Sequence, residues 1–268
     1  MRLLNGSDLA GFIKERHAKQ ARSLLGRGVK PKLAIVQVKD DPIINTYVRL
    51  KKRYGADIGI EVDVHNPNQD STPNLIKRLN EDKTVHGIIV QLPLTDPAQT
   101  DQIVNLVAPQ KDVDALAKKT EFDPATPMAI MWLLSGYNVE LAGKKILLLG
   151  RGKLVGAPLE KILKSSGYDV TTVERGVKDL AGYTKEADVI ITATGSPAVL
   201  YPDMIKHGAV VVDAGVASEE GKTVGDLAAE VYDREDLTIT PTKGGVGPLT
   251  VCALFENVIR AAERSKNA

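Results

Sequence analysis

The sequence predicts an α/β chain of two domains, each built on a parallel sheet. Three observations predict it. Short, continuously apolar runs rich in branched residues alternate with helical stretches, the pattern of buried strands covered on both faces by helices. The alternation occurs in two sets separated by the polar stretch 117–125. The chain has 268 residues, 43% of them hydrophobic. That length suits two modest domains at about 100–200 residues each, and the composition rules out wholesale disorder.

Each element follows in order. Leu33–Val38 is a first apolar strand, and Asp41-Pro42 opens a helix over 43–57, since proline suits a first helical turn. Ile60–His65 alternates as a strand. Thr72-Pro73 opens a helix over 73–82, and Gly87–Leu94 is a third strand. The second set begins with Lys145–Leu149 running into Gly150. A helix follows over 157–166, then strands at Asp169–Val173, Asp188–Thr194 and Ala209–Asp213. A last helix over 248–264 is apolar on one face. The expected domains are 1–119, joined by the returning helix 248–268, and 120–247.

Composition removes several function classes. Thirty-five Lys and Arg against 34 Asp and Glu leave a net charge of +1, and aromatics are 4%. This argues against nucleic acid as the partner. A single cysteine, Cys252, and four scattered histidines leave no metal site of familiar spacing. No apolar run approaches the ~20 residues of a membrane span, and Met1-Arg-Leu-Leu-Asn-Gly has no signal-peptide core. The expectation is a soluble, cytoplasmic chain with no metal and no membrane partner.

Residues 146–156 read ILLLGRGKLVG. A strand enters Gly150, and a helix leaves at Gly156. Glycines at such a turn let the backbone approach a phosphate at the helix N-terminus. The spacing Gly150-x-Gly152-x-x-x-Gly156 is one residue longer than the usual dinucleotide fingerprint, and any tight turn recruits glycine, so the loop alone is a weak signal. Glu174 and Arg175 close the following strand. An acid there suits the ribose hydroxyls of NAD; an arginine there, or Arg151, suits the 2′-phosphate of NADP. The residues leave both cofactors open.

Tyr47 and Lys51 lie four apart on a predicted helix and share a face. A buried lysine with a lowered pKa serves as an acid–base group, although most such pairs are ordinary surface residues. Gln91 is a polar residue at the carboxyl end of an apolar strand, where open parallel sheets bind ligands, and its amide could pair with Lys51. Asp112 and Asp114 are either turn residues or acceptors for the N–H groups of a pterin-like ring.

Together the stretches DDPIINTYVRLKKRYGADIGI, GIIVQLPL, PQKDVD, GRGKLVGAPL, GAVVVDAG and TPTKGGVGPLTVCALFEN, in this order, resemble the bifunctional methylenetetrahydrofolate dehydrogenase/cyclohydrolase family. The resemblance implies an N-terminal catalytic domain, a C-terminal Rossmann domain and a last helix returning to the former. It implies Lys51 as the proton-transfer residue, assisted by Tyr47 and Gln91, with Asp114 on the folate and Gly244 and Gly245 in a substrate loop. It also implies Gly150, Arg151, Gly152 and Gly156 at the cofactor, which would be NADP, with NAD as the alternative. The implied substrate is a tetrahydrofolate derivative of one-carbon metabolism and purine biosynthesis, and the implied assembly is a homodimer.

Several positions depart from the family pattern. Ile44 replaces a serine, Ala125 a cysteine, and Thr242-Lys243 a Val-Pro pair. Gly152 replaces a serine, and the stretch 115–125 is shortened. Two other classes compete. A different Rossmann dehydrogenase would need a His or Arg–Lys substrate clamp, and none stands out. A decayed folate binder would be expected to lack Lys51 or Gln91, and both are present.

Overall fold

A computed structural model describes residues 1–174, 176–219 and 222–265. The chain runs through β1 (Arg2–Leu3), α1 (Gly6–Gly26), β2 (Lys32–Gln37), α2 (Pro42–Ile58), β3 (Glu61–His65), α3 (Thr72–Glu81), β4 (Gly87–Gln91) and α4 (Thr100–Val104). It continues through α5 (Ala125–Gly136), β5 (Ile146–Leu149), α6 (Gly156–Ser165), β6 (Val170–Val173), α7 (Leu180–Glu186), β7 (Val189–Thr192) and β8 (Val210–Asp213). It ends with β9 (Ala217–Glu219), β10 (Lys222–Val224), β11 (Thr238–Ile239) and α8 (Val246–Ser265). Two compact units result: Gly11–Ala125 with Val251–Ala268, and Met1–Ala10 with Thr126–Thr250. Among the described residues no helix is long and apolar enough to cross a membrane.

The catalytic-type unit, Gly11–Ala125 with Val251–Ala268, holds a parallel sheet ordered β3-β2-β4. β2 lies between its two successors, so the carboxyl ends of β2 and β4 form a switch point, with Gln37 registered on Gln91. Ala34, Val36, Ile88 and Val90 of the sheet pack with Ile76 and Leu79 of α3 and Ile103 and Val104 of α4. The apolar run 87–94 is a strand only as far as Gln91; Pro93 has no N–H to extend a ladder. The C-terminal part of α8 belongs to this unit, as expected of a returning helix, and its Phe255 ring stacks on Tyr54 of α2 at 5.0 Å.

The other unit holds a six-stranded parallel sheet ordered β1-β11-β8-β7-β5-β6, with a separate β9–β10 hairpin. β5 sits between β6 and β7, which is the doubly wound order and puts a second switch point at the end of β5. Three segments differ from the sequence expectation: residues 120–125 fall with Gly11–Ala125, while 248–250 and 1–10 fall in this unit. Residues 1–10, expected in the N-terminal domain, belong to this unit. Arg2 and Leu3 register on Thr238 and Ile239, with Arg2 N donating to Leu237 O and Leu4 N to Ile239 O. The edge strand β11 would otherwise expose unpaired backbone groups.

Candidate active site

In the catalytic-type unit the site starts from α2. Asp41 caps the helix by accepting from Ile43 N at 2.9 Å and Ile44 N at 3.4 Å, and Pro42 takes the first turn. Gln37, at the end of β2, fixes the approach by donating to Lys39 O at 3.0 Å and Asn45 Oδ1 at 2.6 Å. The helix is thereby registered against the sheet. Ile44 and Val48 are buried, Lys52 and Arg53 are exposed, and Tyr47 and Lys51 lie partly buried between these extremes.

Lys51 Nζ donates to Gln91 Oε1 at 2.9 Å, and Gln91 Nε2 donates to Leu92 O at 3.1 Å. The amide is therefore oriented with its oxygen toward the lysine. Desolvation pushes the Lys51 pKa down, and the nearby charge of Asp114 partly opposes this. Burial pushes the Tyr47 phenol up, so it stays a protonated donor. Among the described residues Tyr47 makes no hydrogen bond to Lys51; the ammonium bonds Gln91 instead.

The two aspartates separate in role. Asp112 is buried and accepts from Leu116 N at 3.3 Å and Ala117 N at 3.0 Å, so it holds its own loop. Asp114 is half-buried and close enough to Lys51 for its charge to be felt. The loop is tied further by Lys118 N to Asn105 Oδ1 at 2.7 Å and by Asn257 Nδ2 to Val113 O and Asp123 O, both at 2.9 Å. Gln37, Asn45 and Asn257 escape sequence reading, because an isolated amide carries no spacing signal.

In the Rossmann-type unit the glycine loop leaves β5 at its switch point. Gly150 has φ +95°, and a Cβ there would lie 2.6 Å from Ala193 O; a Cβ on Gly156 would lie 2.1 Å from Gly150 O. Both glycines are sterically required. Gly152 faces open space, so a side chain there meets no obstacle. α6 has no side-chain N-cap; Ala157 N already donates to Gly152 O at 3.0 Å and Pro158 has no N–H, so the helix dipole and the Gly156 N–H are what the terminus offers an anion. The loop residues thus suit the pyrophosphate of a dinucleotide.

Arg151 Nε donates to Glu160 Oε2 at 2.8 Å, and Lys164 Nζ to Glu160 Oε1 at 2.7 Å. Lys164 and Arg151 hold the Glu160 carboxyl down to about 2. Glu160 escapes the motif reading, although the spacing Glu160-x-x-x-Lys164 is a recognisable helical ion pair. Glu174 is exposed at the end of β6. Arg175 lies outside the described residues. Gly244, with φ +83°, accepts from Ser7 N at 2.9 Å through its carbonyl, and Gly245 is buried beside it. The candidate residues therefore fall into two groups: Tyr47, Lys51, Gln91 and Asp114 in one unit, the glycine loop, Glu174, Gly244 and Gly245 in the other.

Comparison with known proteins agrees with this division. The family model "Tetrahydrofolate dehydrogenase/cyclohydrolase, catalytic domain" matches residues 4–114, and "Tetrahydrofolate dehydrogenase/cyclohydrolase, NAD(P)-binding domain" matches residues 124–266. The chain belongs to the tetrahydrofolate dehydrogenase/cyclohydrolase family. The Bifunctional protein FolD of Campylobacter jejuni strain RM1221 is 38% identical over all of both chains. The crystal structure of the Campylobacter jejuni bifunctional enzyme FolD is similar with a TM-score of 0.93, covering 98% of this chain and 99% of that one at 38% identity. The Trypanosoma brucei dehydrogenase–cyclohydrolase, solved with NADP cofactor and inhibitor, has a TM-score of 0.92 at 30% identity, covering 99% of this chain and 98% of that one.

Within the tetrahydrofolate dehydrogenase/cyclohydrolase family, this chain's departures have local accounts. Ile44 is 3% exposed and packs in the core. Ala125 is likewise buried, and Lys243 is exposed. The short 115–125 stretch is held by Asp112, Asn105 and Asn257 rather than by length.

Proposed function

We propose that the protein oxidises 5,10-methylene-tetrahydrofolate to 5,10-methenyl-tetrahydrofolate with NADP, and hydrolyses that product to 10-formyl-tetrahydrofolate. The observation that carries this reading is the Lys51–Gln91 pair, set beside Asp114 at the end of β4. The nicotinamide supplies the hydride acceptor for the first reaction. Asp114 accepts from the N–H groups of the pterin, and Tyr47 packs against the ring.

In the second reaction water adds to the methenyl carbon and the bond from that carbon to N5 breaks. Lys51, as the neutral amine, takes the proton of the attacking water. Its ammonium then gives a proton to N5 as the carbon–N5 bond breaks, and the remaining hydroxyl proton leaves to solvent as the formyl carbonyl forms. Gln91 Oε1 accepts from Nζ and holds it in place through this exchange. Gly150, Gly152 and Gly156 line the pyrophosphate, and Arg151 with Arg175 takes the 2′-phosphate. Gly244 and Gly245 are read as substrate-binding residues.

A second reading is favoured by one observation: Glu174 follows β6 near Arg151, and an acid there suits the ribose of NAD. Hydride transfer from methylene-tetrahydrofolate, followed at the reduced-nicotinamide absorbance with each cofactor, separates the two. Faster turnover per unit concentration with NADP is expected; a preference for NAD overturns the cofactor assignment, and no turnover with either overturns the function. The protein is further read as a cytoplasmic homodimer, and light scattering of the purified chain tests the assembly.

A further inference from the structure

Glu160 has no part in the reaction described above, yet it is charged and only 9% exposed. A carboxylate so placed needs charged partners to offset its lost hydration. It divides its oxygens between two cations, Arg151 at Oε2 and Lys164 at Oε1. Lys164 balances the charge of Glu160, so the cluster retains one net positive charge. Arg151 is held by Nε alone. The two terminal nitrogens of its guanidinium make no hydrogen bond among the described residues. These nitrogens form the planar fork that matches phosphate oxygens.

A second carboxylate is available to the same arginine. Gly150 N donates to Val173 O at 2.9 Å, so the chain leaves β5 directly beside the end of β6, where Glu174 follows. The charge of Glu174 acts on Arg151, but the arginine bonds Glu160. A guanidinium in a bidentate pair with Glu174 would offer no free fork and would lose its field at the ribose end of a dinucleotide.

The geometry points to Glu160 as a positioning residue for cofactor preference. It holds Arg151 on α6 through Nε, keeps the arginine out of a pair with Glu174, and leaves the terminal nitrogens free for a 2′-phosphate. This rests on the NADP reading of the same site.

Two probes differing only in the 2′-phosphate, adenosine 2′,5′-bisphosphate and 5′-AMP, test it by calorimetric titration of the full-length protein. The variants are E160Q, E174Q, the E160Q/E174Q double variant and R151A, each first checked for folding by circular dichroism. E160Q is expected to weaken the bisphosphate about tenfold while 5′-AMP stays within about twofold, a clear separation on the affinity scale. The double variant is expected to regain most of the loss, because no rival carboxylate remains. If Glu160 only stabilised α6, both probes would weaken together and removing Glu174 would repair nothing. Either of those results overturns the proposal, as does an E160Q protein that binds like wild type. A wild-type protein that treats the two probes alike, with R151A unchanged, overturns the NADP reading itself.

Discussion

Lys51 Nζ and Gln91 Oε1 stand 2.9 Å apart, joining the middle of a helix to the last residue of a parallel strand. The helix is fixed at its start by Asp41 and by the Gln37–Asn45 bond, and the strand is buried in the sheet. Neither partner is free to drift, which is the condition for a group that must hand a proton to a bound substrate.

The pH dependence of the hydrolytic step should follow from this pair. Desolvation lowers the Lys51 pKa, so the neutral amine becomes available at lower pH than for a solvated lysine, and the rate rises with pH through that pKa. Gln91→Glu places a carboxylate against the ammonium, favours the charged form and moves the rising limb to higher pH. Asp114→Asn removes the charge that partly supports the ammonium and moves the limb to lower pH. Lys51→Met should reduce hydrolysis of methenyl-tetrahydrofolate by about 10²–10⁴, the usual range for a lost acid–base group. Stopped-flow absorbance of methenyl decay across pH checks all three; an unmoved limb in Gln91→Glu would remove Lys51 from the proton path.

Asp112 should matter to stability more than to chemistry. Its carboxylate accepts from Leu116 N and Ala117 N, and burial pushes its pKa up. Asp112→Ala strands both amides in a buried loop, at a cost of about 1–3 kcal/mol. Chemical denaturation should show that loss, with KM for folate changed far less than by Asp114→Ala. The opposite order would exchange the roles of the two aspartates.

How much of this was legible in the sequence depends on what kind of signal each residue carries. Strands such as Leu147–Leu149 and Ile88–Val90 were legible because continuous apolar runs have few other uses. The glycine loop was legible because Gly150 and Gly156 meet backbone oxygen that no side chain permits. α1 was not legible. Its buried positions are Gly6, Ala10, His17, Ala21 and Leu24, while Phe12 is 74% exposed and Leu25 60%, so the apolar residues do not mark the inner face. β1 and β11 have two residues each, too few to show a period. Lys51, Gln91 and Asp114 were singled out by helical spacing, strand-end position and residue type, and given roles by the family resemblance; their distances needed the β2–β4 register, which no local pattern contains.

The glycine loop yields a contrast between two neighbouring substitutions. A Cβ on Gly156 would sit 2.1 Å from Gly150 O, a backbone atom that cannot step aside, whereas a Cβ on Gly152 meets nothing within 4 Å. Gly156→Ala should therefore displace the start of α6, lower the melting temperature and weaken 5′-AMP as well as the full dinucleotide. Gly152→Ser should change stability by less than about 0.5 kcal/mol, as open surface positions do. Differential scanning fluorimetry with and without cofactor reads both, and equal damage from the two would mean that Gly152 is as sterically confined as Gly156.

Tyr54 joins three elements of the catalytic-type unit through one hydroxyl. Its oxygen lies 3.0 Å from His17 Nδ1 on α1 and 3.3 Å from Cys252 Sγ on α8, while His17 Nε2 lies 2.9 Å from Glu256 Oε2. His17 and Cys252 are fully buried, so neither can turn to water if the phenol is removed. Tyr54→Phe keeps the ring against Phe255 and deletes only the oxygen, and the loss of the hydroxyl's bond to buried His17 Nδ1 should cost about 1–3 kcal/mol. The thiol provides an independent readout. Burial pushes the Cys252 pKa up, and a buried, protonated thiol is a poor nucleophile. Native protein should resist an aromatic disulfide reagent until it unfolds, and Tyr54→Phe should react faster by the factor its lost stability allows the unit to open. Rapid labelling of the native wild type would show that α8 is not held by this contact.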